Sequence, residues 1–206
     1  MNNLMTLVIA TTNPGKTAEI RDMLQNFPVN IKNLADFGPI PPVEEDGDTF
    51  DDNAYKKASV ISKILGLPAL ADDSGLVVPV LNGEPGIFSA RYAGQNAGAS
   101  ANIEKLLNEM GESTGEDRQA YFFCAIVLLE SADDPAPLLA TARWHGEILL
   151  TPRGHGGFGY DPVFGVGMSG VSAAELDAEE KYQVSHRGKA LKKLLKLLHE
   201  NDDGYG

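Results

Sequence analysis

Three groups of residues in this chain have types and spacings that could do chemistry on a phosphate. The first is the turn "TTNPGK", comprising Thr11, Thr12, Asn13, Pro14, Gly15 and Lys16. With Thr17 it completes the last three elements of the P-loop pattern G-x-x-x-x-G-K-[ST], but the first glycine is replaced by Ala10. Pro14 also removes one backbone donor. Amides at a helix start beside a lysine attract anions. Three readings stay open: a damaged P-loop, a different phosphate cradle, or an ordinary turn with a solvated lysine.

The second group centres on Lys57. At about 100° per residue, Phe50, Ala54, Ala58, Ile61, Ile64 and Leu65 form one apolar stripe, and Lys57 falls in its middle. Lys56 and Lys63 fall away from it. A lysine facing inward needs a partner or a task, because an unpaired buried charge is expensive; the plainer alternative is snorkelling from the edge of the core. Asn53, one turn earlier, could share its site. The third group is acidic. Asp72 and Asp73 leave an apolar run in "ADDSG", and strand alternation would send them to opposite faces. "VEEDGD" adds carboxylates upstream. Such a set suits Mg²⁺, which takes one or two carboxylates together with substrate phosphates. A solvated acidic loop and an Asx-type turn are the competing readings.

The C-terminal third offers "GGFGYDP" and "EEKYQVSHRGKA". Phe158 and Tyr160, set among glycines, could present a flat face to a base. Lys181, His186 and Arg187 are donors, which suit keto oxygens rather than an amino group.

These residues must be positioned by a fold. The chain has 206 residues, 43% of them hydrophobic, enough for a substantial core. Seventeen Lys and Arg against 29 Asp and Glu give a net charge of −12, which disfavours nucleic-acid binding. One cysteine, Cys124, lies in "YFFCAIVLL" and reads as a buried structural thiol. No apolar run approaches the ~20 residues of a membrane span, so a soluble, cytoplasmic protein is expected. "LMTLVIA" reads as a buried strand feeding a helix capped by Asn13, with Pro14 at its first position. A second strand is expected at "VNIKNL" and a second helix from Thr49 to about Leu65. "LPALADDSGLVVPVLNG" reads as two short strands broken at "DDSG", Ser100 as the cap of a third helix, and "RQAYFFCAIVLLE" with "LLATARWHGEILL" as two long paired strands. "TPRGHGGFGYDPVFGV" reads as a long loop, and Ser185 as the cap of the last helix. The sum is a mixed α/β chain with one extended sheet.

"ATTNPGK", "TFDDNAYKKA", "LPALADDSGL", "GEPGIFSARYAG", "GGFGYDPVF" and "SHRGKAL", in this order and spacing, resemble the inosine triphosphate pyrophosphatase family, in its bacterial dITP/XTP pyrophosphatase form. The resemblance spans nearly the whole chain. It implies an α/β fold with an elongated mixed central sheet flanked by helices, two lobes with the active-site cleft between them, and usually a homodimer. It implies one domain over 1–206, with a frayed tail at 201–206. It also implies Mg²⁺-dependent hydrolysis of ITP, dITP and XTP to the monophosphate and pyrophosphate. By position, Thr11 to Lys16 match the triphosphate-contacting loop and Lys57 the phosphate-facing lysine. Glu45 and Asp73 match the metal ligands, Asp73 also the general base, and Asp72 a neighbouring acid near the metal. Ser74 matches a substrate contact. Phe158, Gly159, Tyr160, Asp161, Lys181, His186 and Arg187 match the base-recognition set. The rivals are a Maf-like pyrophosphatase for modified pyrimidine nucleotides and a nucleotide sensor without turnover, with a P-loop ATPase last.

Overall fold

The computed structural model describes residues 4–167 and 170–202; the expected frayed tail at 201–206 lies largely outside them. The elements are β1 (Met5–Ile9), α1 (Pro14–Leu24), β2 (Val29–Asn33), α2 (Phe50–Leu65), β3 (Ala69–Val77), α3 (Ala99–Met110), β4 (Gln119–Leu129), β5 (Leu138–Ile148), β6 (Phe164–Val166), β7 (Val171–Ser172), α4 (Ala178–Val184) and α5 (His186–Asp202). The strands form one sheet in the order β2-β1-β3-β4-β5-β6-β7. It is mixed. β1 runs parallel to β2, pairing Met5 with Val29 and Ile9 with Asn33, and parallel to β3, pairing Val8 with Ala69. β6 is antiparallel to both β5 and β7. The parallel pairs at one end need crossover connections, which α1 and α2 supply.

Local chemistry explains the helix starts. Asn13 Oδ1 accepts from the amides of Gly15 and Lys16, at 2.9 and 3.2 Å, and Pro14 occupies the first turn. Thr49 Oγ1 accepts from the Asp52 amide at 3.1 Å to open α2. Three expectations need correction. α3 begins at Ala99 behind Gly98, with no side-chain cap, so Ser100 lies inside the helix. Ile64 is 49% exposed, whereas Asn53, Lys57 and Ser62 are buried, so the inward face of α2 is more polar than its apolar stripe suggested. Most importantly, "DDSG" does not break a strand: β3 runs through it as nine residues.

The chain divides into two compact units. Unit 1 comprises Met1–Asp73, Cys124–Ala142 and Arg187–Gly206; unit 2 comprises Ser74–Phe123 and Arg143–His186. Each has its own apolar core. That of unit 1 gathers Ile9, Ile20, Leu70, Ile126, Leu191 and Leu194. That of unit 2 gathers Leu76, Leu106, Phe122, Trp144, Tyr160 and Phe164. Cys124 is fully buried in the first, and burial pushes its thiol up to about 12, as expected of a structural cysteine. Among the described residues, no helix is long and apolar enough to cross a membrane.

Candidate functional site

Unit 1 carries two charge clusters built on β3. The alternation of a strand sends Asp72 and Asp73 to different partners, as their adjacency predicts. Asp73 Oδ1 accepts from Lys57 Nζ at 3.1 Å, and Glu45 Oε1 accepts from the same ammonium at 2.8 Å. Lys57 is only 7% exposed. Burial works against its charge, but Asp73, Asp72 and Glu45 together outweigh that and hold its pKa above the usual lysine value. For Asp73 the balance falls the other way. Burial raises its pKa, and Glu45 adds to this, while Lys57 and Lys16 oppose; the net shift is upward. Its buried Oδ2 has no hydrogen-bond partner among the described residues.

The acidic loop is tied to α2 to make this contact. Asn53 Oδ1 accepts from the Gly47 amide at 2.8 Å. A side chain at Gly47 would put Cβ 2.8 Å from Asp52 Cβ, so only glycine lets the loop lie this close. Asn53 is therefore a buried loop anchor, which its flank position on the stripe did not reveal. Lys57 and Glu45 line a cavity of about 560 Å³, together with Thr11, Thr12, Pro14 and Thr17 from the first turn. The wall is completed by the proline-rich loop, including Gly38, Pro41 and Val43. Glu45 and Asp73, converging on one cation, with Oδ2 of Asp73 unclaimed, fit the oxygen chemistry of Mg²⁺. Among the described residues no three His, Cys, Asp or Glu side chains gather as a metal cluster; a Mg²⁺ held by Glu45 and Asp73 would take its other ligands from phosphate oxygens or water.

Asp72 is differently placed from the metal-side position that the resemblance implies. Fully buried, it is held by cations: Lys16 Nζ lies 3.1 Å from its Oδ2, and Arg187 donates to the same oxygen through Nε at 3.3 Å and Nη2 at 3.1 Å. Burial is the largest single influence and would raise its pKa, but Lys16, Arg187 and Lys57 overcome it and hold the carboxyl below the usual range. Arg187 Nη1 also donates to Glu19 on α1. So Arg187, matched to base recognition by resemblance, is 1% exposed and committed to carboxylates of unit 1. In the first turn, the Gly15 and Lys16 amides are taken by the Asn13 cap, and the Asn13 amide donates to Thr11 Oγ1 at 3.2 Å. What this turn offers a phosphate is thus side chains on the cavity wall rather than a ring of free amides.

Unit 2 holds the remaining candidates. Asp161 Oδ2 accepts from Lys181 Nζ at 2.7 Å and from the Phe158 amide at 2.7 Å. Lys181 Nζ stands 4.9 Å from the centre of the Phe158 ring, within cation–π range. Gly157, at φ 69°, lies so close that a Cβ would collide with the Asp161 carboxylate. Gly159, at φ 62°, continues the turn. His186 stacks on Phe122 at 4.7 Å and 12°. Tyr160 departs from its expected role: it is 4% exposed, packed in the core, and its hydroxyl donates to the Ser89 carbonyl at 3.0 Å. It anchors the glycine turn and leaves Phe158 as the half-buried ring. Ser74 is half-buried on β3, the first residue of unit 2.

Fold and site together define a mixed α/β protein with one lysine, Lys57, held by two carboxylates on a cavity wall. More narrowly, the chain belongs to the Ham1 family, which it matches over residues 7–197. It is 53% identical over 200 residues to a dITP/XTP pyrophosphatase of Syntrophobacter fumaroxidans, covering 94% of this chain and 84% of that protein. It is 52% identical to a dITP/XTP pyrophosphatase of Halorhodospira halophila, covering 93% of this chain and 96% of that one. The structure of a HAM1 protein from Coxiella burnetii superposes with a TM-score of 0.87 at 45% identity, covering 96% of this chain and all of that one.

Sequence reasoning did not find Glu19, Gly47 or the Phe122–Trp144 platform under His186. Glu19 looks like any exposed helix acid. The one available signal was Arg187, a buried cation whose charge required an acid from elsewhere in the chain.

Proposed function

We propose that this protein is a Mg²⁺-dependent nucleoside-triphosphate pyrophosphatase that hydrolyses dITP, ITP and XTP to the nucleoside monophosphate and pyrophosphate. The observation that carries the reading is the clamp of Lys57 between Glu45 and Asp73, with Lys57 on the cavity wall. The dITP/XTP pyrophosphatases it resembles supply the substrate class.

In unit 1, Lys57, Lys16 and the side chains of Thr11 and Thr12 face the triphosphate. Asp73 removes a proton from water as that water's oxygen bonds to the α-phosphorus. The bond from the α-phosphorus to the bridging oxygen breaks, and pyrophosphate leaves with its electron pair. The raised pKa of Asp73 makes it a stronger base than an ordinary carboxylate, and its unclaimed Oδ2 is the atom that takes the proton. Lys57 neutralises charge as it shifts toward the leaving group. Glu45 and Asp73 are the residues that would hold Mg²⁺, which when bound neutralises phosphate oxygens and eases departure of pyrophosphate. In unit 2, Phe158 offers a face to the purine, and Lys181, held by Asp161, donates to a 6-keto oxygen. A buried donor rejects adenine, whose amino group cannot accept. The same reading places the enzyme in the cytoplasm as a homodimer, which sedimentation velocity checks.

The test is a Mg²⁺-dependent assay on ITP, XTP, GTP, ATP and UTP that resolves pyrophosphate from orthophosphate. Pyrophosphate from ITP and XTP alone supports the reading. Turnover of UTP in their place, or orthophosphate from ATP, overturns it.

A further inference from the structure

The turn that carries Phe158 is rich in glycine, with Gly157 at φ 69° and Gly159 at φ 62°. Backbone of this kind is free to move, so its place must be set from outside. The Phe158 amide donates to Asp161 Oδ2 at 2.7 Å, which fixes the shape of the turn but not its location. On one flank the Gly156 amide donates to the Ala174 carbonyl at 3.0 Å, and Asp161 accepts from Lys181. On the other, the Tyr160 ring enters the apolar core that also holds Leu76 and Phe164, and its hydroxyl donates to the Ser89 carbonyl at 3.0 Å. A ring in an apolar slot can slide along it; a hydrogen bond at its tip fixes its depth.

Ser89 is itself held on several sides. It lies 8% exposed in the 3-10 turn Gly86–Arg91, within "GEPGIFSARYAG". Its Oγ accepts from the Leu76 amide of β3 at 2.9 Å and donates to the Gly86 carbonyl at 2.6 Å. Asn102 on α3, 4% exposed, donates through Nδ2 to the carbonyls of Ser89 at 3.4 Å and Ala90 at 3.2 Å. Its Oδ1 accepts from the Ala93 amide at 2.8 Å. A carbonyl oxygen has two lone pairs, so Asn102 and Tyr160 share that of Ser89 without competing. The serine thus joins β3 and α3 to the turn that carries Phe158, all within unit 2.

We propose that Ser89 is a positioning residue for Phe158, acting through the Tyr160 hydroxyl. The inference rests on the reading of Phe158 as the face that meets the purine. It gives "GEPGIFSARYAG" a task in base binding without contact to the base.

Tyr160→Phe cuts the tie and keeps the buried ring. Ser89→Ala loosens the other end, but it leaves the buried Leu76 amide without its partner and so risks the fold. The measurements are kcat and KM for ITP and the calorimetric affinity for inorganic tripolyphosphate, which has no base. The proteins are wild type, Tyr160→Phe, Ser89→Ala, Phe158→Ala and Tyr160→Phe/Phe158→Ala. Positioning predicts that Tyr160→Phe raises KM for ITP about fivefold, the worth of one hydrogen bond, with kcat and tripolyphosphate affinity each within about twofold of wild type. The loss should vanish once Phe158 is gone, and a folded Ser89→Ala should raise KM in the same way. Wild-type KM in Tyr160→Phe or in folded Ser89→Ala, equal losses of ITP and tripolyphosphate binding, or the same loss with and without Phe158 would each overturn it. Wild-type KM in Phe158→Ala would instead sink the base reading of Phe158, and this inference with it.

Discussion

On the proposed reading, the two units would solve recognition with different materials. Unit 1 spends charge: Lys57 between Glu45 and Asp73, and Lys16 and Arg187 around Asp72. Unit 2 spends surface: the half-buried Phe158 ring and a stack of His186 on Phe122, with Lys181–Asp161 as its ion pair among the candidates. The difference follows from what each has to hold. A triphosphate is a flexible polyanion, and in the proposed reading it is bound by cations whose own positions are fixed by acids. A purine is flat and nearly neutral, and in the proposed reading it is chosen by a stacking face and a donor whose direction is fixed by an acid.

The largest break in this contrast comes from Asp73→Asn. The amide cannot take a proton, so turnover should fall about 10²- to 10⁴-fold while tripolyphosphate affinity is largely kept. Steady-state kinetics and calorimetry read the two effects separately. Lys57→Gln should follow. It leaves Glu45 and Asp73 facing each other without their shared cation, at a cost to folding of about 3 kcal/mol. Urea unfolding measures it.

A subtler break uses pH, because adjacent acids on β3 shift in opposite directions. Asp72, held below the usual range, stabilises the fold above about pH 4 and loses that contribution as pH falls toward its lowered folded value. Asp73, raised, takes up its proton in the folded state first, so its protonation favours the fold as pH falls toward about 4. Urea unfolding between about pH 3 and 5 should therefore show a shallower acid loss in Asp72→Asn and a steeper one in Asp73→Asn. The smallest effect concerns Cys124. A fully buried thiol pushed up to about 12 should stay unlabelled by iodoacetamide in the native protein and react on unfolding.

Sequence and structure agree best where chemistry is local. The Asn13 cap, Pro14 at the start of α1, the Thr49 cap and the opposite pairing of Asp72 and Asp73 all follow from spacing within a few residues. Lys57 announced itself because one misplaced charge on an apolar stripe is a local anomaly. The reading of "DDSG" as a break failed because turn propensity is local, whereas the cations that let both aspartates lie in a strand come from α1, α2 and α5. The partners of Arg187 were illegible for the same reason: its contact with Glu19 joins residues separated by most of the chain. Tyr160 was misread because a tyrosine among glycines looks exposed until the Ser89 carbonyl that fixes its hydroxyl is known.

The division of labour itself is tested by one comparison: kcat/KM for ITP and for ATP in wild type, Lys16→Gln and Lys181→Gln. The account predicts that Lys16→Gln lowers both values together and leaves their ratio unchanged, while Lys181→Gln collapses the ratio about tenfold or more. A Lys16 variant that shifts the ratio, with a Lys181 variant that does not, would contradict it.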